Sequence, residues 1–149
     1  MNRFIQFFAT WGGTGLSPVA PGTVGTLAAI PFYLVFVRLP LPLYLLSLTA
    51  FTFFACWVAG RAELLFREQD PGKIVIDEVV GYLVTMAGVP FSWKMVLTGF
   101  VLFRLFDILK PPPARWIDRN LKGGYGVVLD DVAAGLYACL LLHLLPRLL

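Results

Sequence analysis

The sequence predicts an all-α protein, a polytopic helical bundle embedded in a membrane. Hydrophobic residues make up 58% of the chain and charged residues only 14%, whereas soluble domains have about 45–50% apolar and about 25% charged residues. A soluble chain of 149 residues has too little interior to bury this excess, so lipid is the expected solvent. The length predicts a single membrane-embedded domain, residues 1–149.

Five apolar segments predict the helices of this bundle. Proline, glycine and charged residues separate them, as expected where helices end. Several segments are shorter than the ~20 residues that a helix needs to cross a bilayer. We therefore expect about four to five short transmembrane or partly inserted helices, the third segment being the weakest candidate for a span. The segments are residues 23–37, 43–60, 74–89, 96–109 and 127–145.

A short apolar stretch, residues 4–9, follows Arg3 and precedes a run of glycines. It is too short for the apolar region of a cleavable signal peptide. We expect an amphipathic segment that lies in the membrane interface.

The charged residues are unevenly divided between the two sides of the predicted bundle. With five spans and an inner N-terminus, nine of the twelve cations lie on the inner side, and only Arg38, Lys94 and Arg147 lie outside. This asymmetry agrees with the positive-inside rule. All nine acids also lie on the inner side, which that rule does not require. The acids therefore indicate a function at the inner face.

Two acidic pairs, Asp77-Glu78 and Asp130-Asp131, begin the third and fifth apolar segments. A glycine follows each pair about one turn later, Gly81 and Gly135, and would allow close helix packing. Acids also complement a helix N-terminus for about 0.3–1 kcal/mol. Two pairs on one face favour function, since carboxylates near lipid are usually paired or functional.

A third acid lies between two cations at the inner end of the fourth segment. The spacing Arg104-x-x-Asp107-x-x-Lys110 places the three side chains along one helix face. One interpretation is a ladder of ion pairs. The other is an acidic ligand flanked by two groups that suit phosphate.

The glycine-rich stretch at residues 12–26 runs into the first apolar segment. Free amides at a helix start attract phosphate, and the hydroxyls of Thr23 and Thr26 could add donors. The alternative is that Gly22 and Gly25 only permit close packing. No Gly-Lys-Ser/Thr follows, so this is not a Walker loop.

The clustered carboxylates predict a hard divalent cation, and oxygen ligands favour Mg²⁺ over Zn²⁺. His143, the one histidine, lies far along the last segment and is expected to be structural. The chain has no Cys-x5-Arg loop, which excludes a cysteine phosphatase. Metal-assisted phosphate chemistry remains. The predicted metal ligands are Asp77, Glu78, Asp107, Asp130 and Asp131.

The motifs, taken together and in order, resemble the phosphatidylglycerophosphatase A family of bacterial membrane phosphatases. The resemblance runs through nearly the whole chain. It is carried by the following motifs: Gly15-Leu16-Ser17-Pro18, Pro21-Gly22-Thr23-x-Gly25-Thr26, Asp77-Glu78-Val79-Val80-Gly81, Phe103-Arg104-x-x-Asp107-x-x-Lys110-Pro111-x-Pro113, Asp118-Arg119-Asn120, Gly123-Gly124-x-Gly126 and Asp130-Asp131-x-x-Ala134-Gly135.

The resemblance implies Mg²⁺-dependent hydrolysis of phosphatidylglycerophosphate to phosphatidylglycerol and phosphate, at the cytoplasmic face of the bacterial inner membrane. We expect the five acids and Lys110 to be catalytic, with one acid as general base. Thr23, Thr26, Arg104, Lys110 and Arg115 are expected to bind the anionic lipid. Adjacent residues on a helix diverge by about 100°, so one member of each pair is expected to face away from the metal, first of all Glu78 and Asp130.

A membrane ion or proton carrier is the alternative function, because carriers also use intramembrane acids. A carrier needs ionisable groups along a path across the membrane. The outer half offers only Arg38, Lys94, Arg147 and His143. A purely structural subunit would not need five clustered acids. The sequence therefore favours the enzyme.

The one-sided charges predict that the two loops expected at residues 61–72 and 110–126 face the cytoplasm. In intact cells, a cysteine introduced by Arg119→Cys should not react with an impermeant thiol reagent added from outside, whereas one introduced by Lys94→Cys should react. Both variants need Cys56 and Cys139 replaced by serine. Ready labelling at position 119 would contradict this topology.

Overall fold

The computed structural model describes the backbone of residues 1–148 and the side chains of residues 1–145. The all-α prediction is confirmed: within the described backbone the structure has seven α-helices, one short 3₁₀ turn at Thr14–Leu16 and no strand. The side chain of Arg147, predicted to lie outside, falls beyond the described ones. The helices are α1 (Asn2–Ala9), α2 (Pro21–Phe36), α3 (Leu41–Phe66), α4 (Ile76–Thr85), α5 (Trp93–Leu109), α6 (Ala114–Asn120) and α7 (Gly123–Leu148).

Two of the described helices, α3 and α7, are long and apolar enough to cross a membrane. The 26 residues of α3 rise about 39 Å at about 1.5 Å per residue, more than the bilayer core requires. Only 28% of its most apolar stretch is buried, and Leu46, Phe53 and Trp57 are exposed. A helix with so much exposed apolar surface is suited to lipid contact. Helix α2 is apolar but has only 16 residues.

Helix α4 lies at the centre of the bundle, where all ten of its residues are buried. It packs against α2, α3, α5 and α7. Ten residues rise only about 15 Å, which is too short to cross a bilayer as a helix. The predicted third segment, residues 74–89, is therefore helical only in its middle, and protein rather than lipid surrounds it.

Glycines at the crossing of α4 and α7 let the two backbones touch. A Cβ atom added to Gly135 would lie 2.5 Å from the carbonyl oxygen of Gly81, and one added to Gly81 would lie 3.0 Å from the carbonyl oxygen of Asp131. Any side chain at either position would push the helices apart. The expected role of both glycines in close packing is confirmed, and this crossing lies within about one turn of the acidic pairs.

The two ends of the bundle differ in polarity. One end carries the ion pairs of Lys110 with Asp118 and Asp130. At the other end, the loop containing Gly88 approaches Leu41 and the exposed His143. His143 therefore lies far from the acids, as its position along the last apolar segment predicted.

The region after α5 is not the continuous loop that the sequence suggested for residues 110–126. The proline run does end α5, since Lys110 follows the helix in a left-handed conformation with φ of 46°. A new helix, α6, begins directly after Pro113 and packs against α7. Proline stops a preceding helix but fits the start of the next one. Arg115 and Arg119 are therefore exposed residues of a helix.

Close contact between α3 and α7 predicts that Gly124→Ala destabilises the protein. The new Cβ would overlap the carbonyl oxygen of Cys56 and lie 2.6 Å from the amide nitrogen of Gly60. Both are backbone atoms, so relief requires helix movement, at about 1–3 kcal/mol. We expect a lower melting temperature in detergent micelles. Gly72→Ala is the control, because nothing lies within 4 Å of its added Cβ; equal stability of both variants would contradict the packing.

Candidate active site

Five acids lie at one end of the bundle, and they come from the start of α4, the third turn of α7 and the end of α5. Asp77 and Glu78 lie in the first turn of α4, and Asp130 and Asp131 lie in α7 next to it. All four are buried, with 3–9% of their surface exposed. Asp107, near the end of α5, is partly buried. Buried carboxylates repel one another strongly, so this arrangement needs positive charge.

Three of these acids, Glu78, Asp107 and Asp131, converge as a possible metal site. One carboxylate oxygen from each lies within 4.8 Å of the others. Because each acid comes from a different helix, the packing of the bundle fixes their separation. The donor set consists only of carboxylate oxygens, which suits a hard divalent cation. This group of three can hold a metal ion.

Arg104 supplies positive charge within this group. Its NH1 atom lies 2.5 Å from Oε2 of Glu78 and 2.5 Å from Oδ2 of Asp107. The guanidinium thus bridges two of the three acids, and only 16% of its side chain is exposed. Such a buried, bridging position offsets part of the repulsion between the carboxylates. The Nε of Arg104 has no hydrogen-bond partner among the described residues.

The glycine-rich start of α2 packs directly on this bridge. A Cβ atom at Gly22 would collide with Oε1 of Glu78 and lie 3.1 Å from both terminal nitrogens of Arg104. One turn later, the buried hydroxyl of Thr26 lies 2.8 Å from the Gly22 carbonyl oxygen and 3.1 Å from Oε2 of Glu78. Thr26 therefore contacts an acid of the site, while Thr23, at the same helix start, is partly buried.

Lys110 organises a second, neighbouring part of the site. Its Nζ donates hydrogen bonds to Oδ2 of Asp130 at 2.8 Å and to Oδ1 of Asp118 at 2.9 Å. Burial alone would lower the pKa of Lys110, but its bonds to Asp130 and Asp118 outweigh that effect and raise the pKa above its ordinary value. Lys110 is therefore a permanent cation that ties α5, α6 and α7 together.

Two buried carboxylate oxygens have no hydrogen-bond partner among the described residues. They are Oδ1 of Asp77 and Oδ2 of Asp131. Leaving such an oxygen unsatisfied costs about 1–3 kcal/mol, and more for a charged group. A bound cation would neutralise the negative charge of these carboxylates and give each unpartnered oxygen a partner. These two unpartnered atoms are a second observation that fits a metal.

The structure brings some of the predicted site residues together and leaves others apart. All five acids lie at one end, but in the first pair it is Glu78, not Asp77, that joins the converging group, contrary to our expectation. In the second pair it is Asp131, as expected. Arg115 is exposed on α6, where its NH2 donates to the Leu109 carbonyl oxygen at 3.2 Å. Asp118 was not among the predicted site residues, although it lies in a matched motif.

Comparisons with known proteins agree with the chemistry of this site. The family model described as phosphatidylglycerophosphatase A matches residues 7–146. A protein of Escherichia coli (strain K12) named phosphatidylglycerophosphatase A is 40% identical over 144 residues, which cover 96% of this chain and 84% of the relative. A protein of the same name from Haemophilus influenzae is 39% identical, with 90% and 83% covered.

A third relative has a different name. A Bacteroides thetaiotaomicron protein named putative phosphatidylinositol-3-phosphatase is 41% identical over 138 residues, which cover 87% of this chain and 86% of the relative. No solved structure shows significant similarity to the chain.

Proposed function

Because the chain belongs to the phosphatidylglycerophosphatase A family, we propose that it hydrolyses the phosphomonoester of phosphatidylglycerophosphate to phosphatidylglycerol and phosphate, using Mg²⁺. We place the reaction at the cytoplasmic face of a bacterial inner membrane. The observation that carries this proposal is the convergence of Glu78, Asp107 and Asp131 within 4.8 Å. Two of the described helices are also long and apolar enough to cross a membrane.

Glu78, Asp107 and Asp131 would hold the metal. Oδ1 of Asp77 has no hydrogen-bond partner among the described residues and is available to accept a hydrogen bond from the attacking water. When bound, Mg²⁺ supplies charge that polarises the phosphoryl group and makes a bound water more acidic. The protein's own contribution is to fix three carboxylates on three helices so that the site forms without rearrangement.

Two cations serve the phosphate. Arg104 holds two metal-binding acids, and its fork geometry suits phosphate oxygens. Lys110 adds a partly buried positive charge beside Asp130. Charge that develops on the phosphoryl oxygens during transfer is stabilised when such groups are already in position.

We assign the general base to Asp77. It is buried, lies outside the converging group of three, and has an oxygen with no partner among the described residues. Asp130 is less suited, since both of its carboxylate oxygens already accept a hydrogen bond, Oδ2 from Lys110 and Oδ1 from the backbone amide of Asp131, each at 2.8 Å. A water between Asp77 and the phosphorus would lose its proton to Oδ1 as its oxygen bonds to phosphorus, while the bond from phosphorus to the glycerol oxygen breaks and that oxygen takes up a proton from solvent. A covalent aspartyl phosphate is the competing mechanism.

An ion carrier is not favoured by the arrangement of charges. Among the residues with described side chains, the acids gather at one end, and the opposite end has Arg38, Lys94 and the exposed His143. This leaves no series of acids leading across the bundle within the described part of the chain. The carrier alternative would need such a series.

The direct test is release of phosphate from phosphatidylglycerophosphate in mixed micelles by purified protein, with and without Mg²⁺. Phosphatidylinositol 3-phosphate serves as the second substrate, because of the name of the Bacteroides relative. We expect faster release from phosphatidylglycerophosphate. No release from either lipid phosphomonoester would overturn the proposed function.

The convergence of acids predicts that activity depends on the carboxylates and on the divalent cation together. Asp77→Asn, Asp107→Asn and Asp131→Asn should each lose about 10²-fold or more in turnover, because the amide keeps the shape but removes the charge. Chelation should abolish wild-type activity, and Mg²⁺ should restore it. Glu68→Gln, which changes an exposed acid, is the control. Near wild-type turnover in the three variants would leave the acids with only a structural role.

The partly buried position of Lys110, paired with Asp130 and Asp118, predicts a different defect from that of exposed cations. Lys110→Met should lower kcat by about 10²-fold at low and high salt. Arg115→Gln, Arg119→Gln and Lys122→Gln should mainly raise KM, since each surface cation attracts anionic lipid by about 1 kcal/mol, and salt should weaken that effect.

Steady-state kinetics in mixed micelles at two salt concentrations measure both effects. Because Lys110 also links three helices, the melting temperature of Lys110→Met must show that the variant is folded. The same modest, salt-sensitive defect in all four variants would remove Lys110 from the active site.

A further inference from the structure

An apolar groove of about 230 Å³ lies on the outer face of α7, beside the start of α6. Its wall consists of Pro113, Ala133, Leu136, Tyr137 and Leu140. Leu136 and Leu140 are 59% and 58% exposed, so the groove is open along its side. None of these residues takes part in the site described above.

The groove continues the face of α7 that carries Asp130. Residues 130, 133, 137 and 140 follow a spacing of three, four and three, which places them in one stripe along a helix. Asp131 points to the other face, with Ala134, Ala138 and Leu142, which are buried in the bundle. Asp131 therefore faces the group of three acids, and Asp130 lies about one turn before Ala133, the first α7 residue that lines the groove.

Contacts of Tyr137 close the end of the groove nearest α6, and the rest of its lining is apolar. The Tyr137 hydroxyl donates to the Pro112 carbonyl oxygen, and the ring of Tyr137 stacks on Phe106 with centroids 5.5 Å apart. The aromatic ring is thus fixed as a wall. Asp130 and Lys110, joined at 2.8 Å, lie at the end nearest the acids.

We propose that this groove holds one acyl chain of the lipid substrate and so places its phosphate beside Lys110. This inference rests on the proposed function and adds a binding site to it. From Asp130 to Leu140 the helix rises about 15 Å, from the charged end toward the middle of the bundle. A lipid with its head group at the charged end would direct its chains the same way.

The groove would determine where the lipid lies more than how tightly it binds. Lipid tails are as apolar as leucine, so a chain that leaves the bilayer for the groove gains little hydrophobic free energy. Its packing against a rigid wall fixes the lipid along α7, however, and a misplacement of about 1 Å can cost about 10²-fold in rate. Chain-length selectivity is the expected consequence.

The kinetic test uses variants that fill the groove. In Leu136→Trp and Leu140→Trp, kcat/KM on long-chain (dipalmitoyl) phosphatidylglycerophosphate should fall about tenfold, with little change on the short-chain (dihexanoyl) lipid. Leu97→Trp on α5 is the matched control, since Leu97 is also 59% exposed. An equal response to both lipids, or the same defect in Leu97→Trp, would overturn the groove.

The binding test does not depend on turnover. Phosphatidylglycerophosphate with a photoreactive group on one acyl chain is cross-linked to the wild-type protein in chelator, and the labelled residues are mapped. Labelling at residues 133–140 that unlabelled lipid displaces would support the proposal. Labelling spread evenly over exposed apolar faces, or protection of the groove by a second copy of the chain in a cross-linked dimer, would contradict it.

Different results refute the proposed enzyme activity and the acyl-chain site. Wild-type protein that releases no phosphate from either chain length refutes the proposed function. Wild-type protein that is active, with groove variants that keep its ratio of long-chain to short-chain activity, refutes only the acyl-chain site.

Discussion

Close contact between the backbones of α4 and α7 determines where the acids of this protein lie. The contact is possible because Gly81 and Gly135 have no side chains, and a Cβ at Gly135 would lie 2.5 Å from the Gly81 carbonyl oxygen. Each glycine follows an acidic pair on its own helix. Bringing the glycines together therefore brings Glu78 and Asp131 together, and α5 then adds Asp107. The packing and the chemistry depend on the same crossing.

Burial makes this arrangement of acids electrostatically costly, and it also favours the binding of a cation. Four carboxylates are at least nine-tenths buried, where water screens their repulsion poorly. Arg104 and Lys110 offset part of it through four ion-pair contacts of 2.5–2.9 Å. Six acids, including Asp118, still face two cations. A divalent ion would reduce this excess of negative charge. Among the described residues, no group donates a hydrogen bond to the unpartnered oxygens of Asp77 and Asp131.

The helical class, the apolar segments and the end of the bundle that carries the acids could be predicted from the sequence, because each follows from local pattern. Two features could not. Which member of Asp77-Glu78 faces the group of three depends on the rotation of α4 about its axis, and tertiary packing sets that rotation. Helix α6 was predicted as loop because the proline run signals where a helix stops but not that Pro113 begins another. Asp118 was missed for the same reason, since α6 carries it to Lys110.

The divergence of adjacent residues on a helix gives the second acidic pair two separate tasks. Neighbours differ by about 100° around the axis, so Asp131 points into the bundle toward α4 and α5 while Asp130 points toward Lys110 and α6. Asp131 thus belongs to the group of three acids that could hold a metal ion, and Asp130 lies beside Lys110, on the face of α7 where we propose that the lipid binds. A lipid phosphatase needs both: a dry, charged interior for the phosphate and an apolar surface for the chains. The pair lies where those two environments meet, which explains why two adjacent carboxylates occur within a helix otherwise suited to lipid.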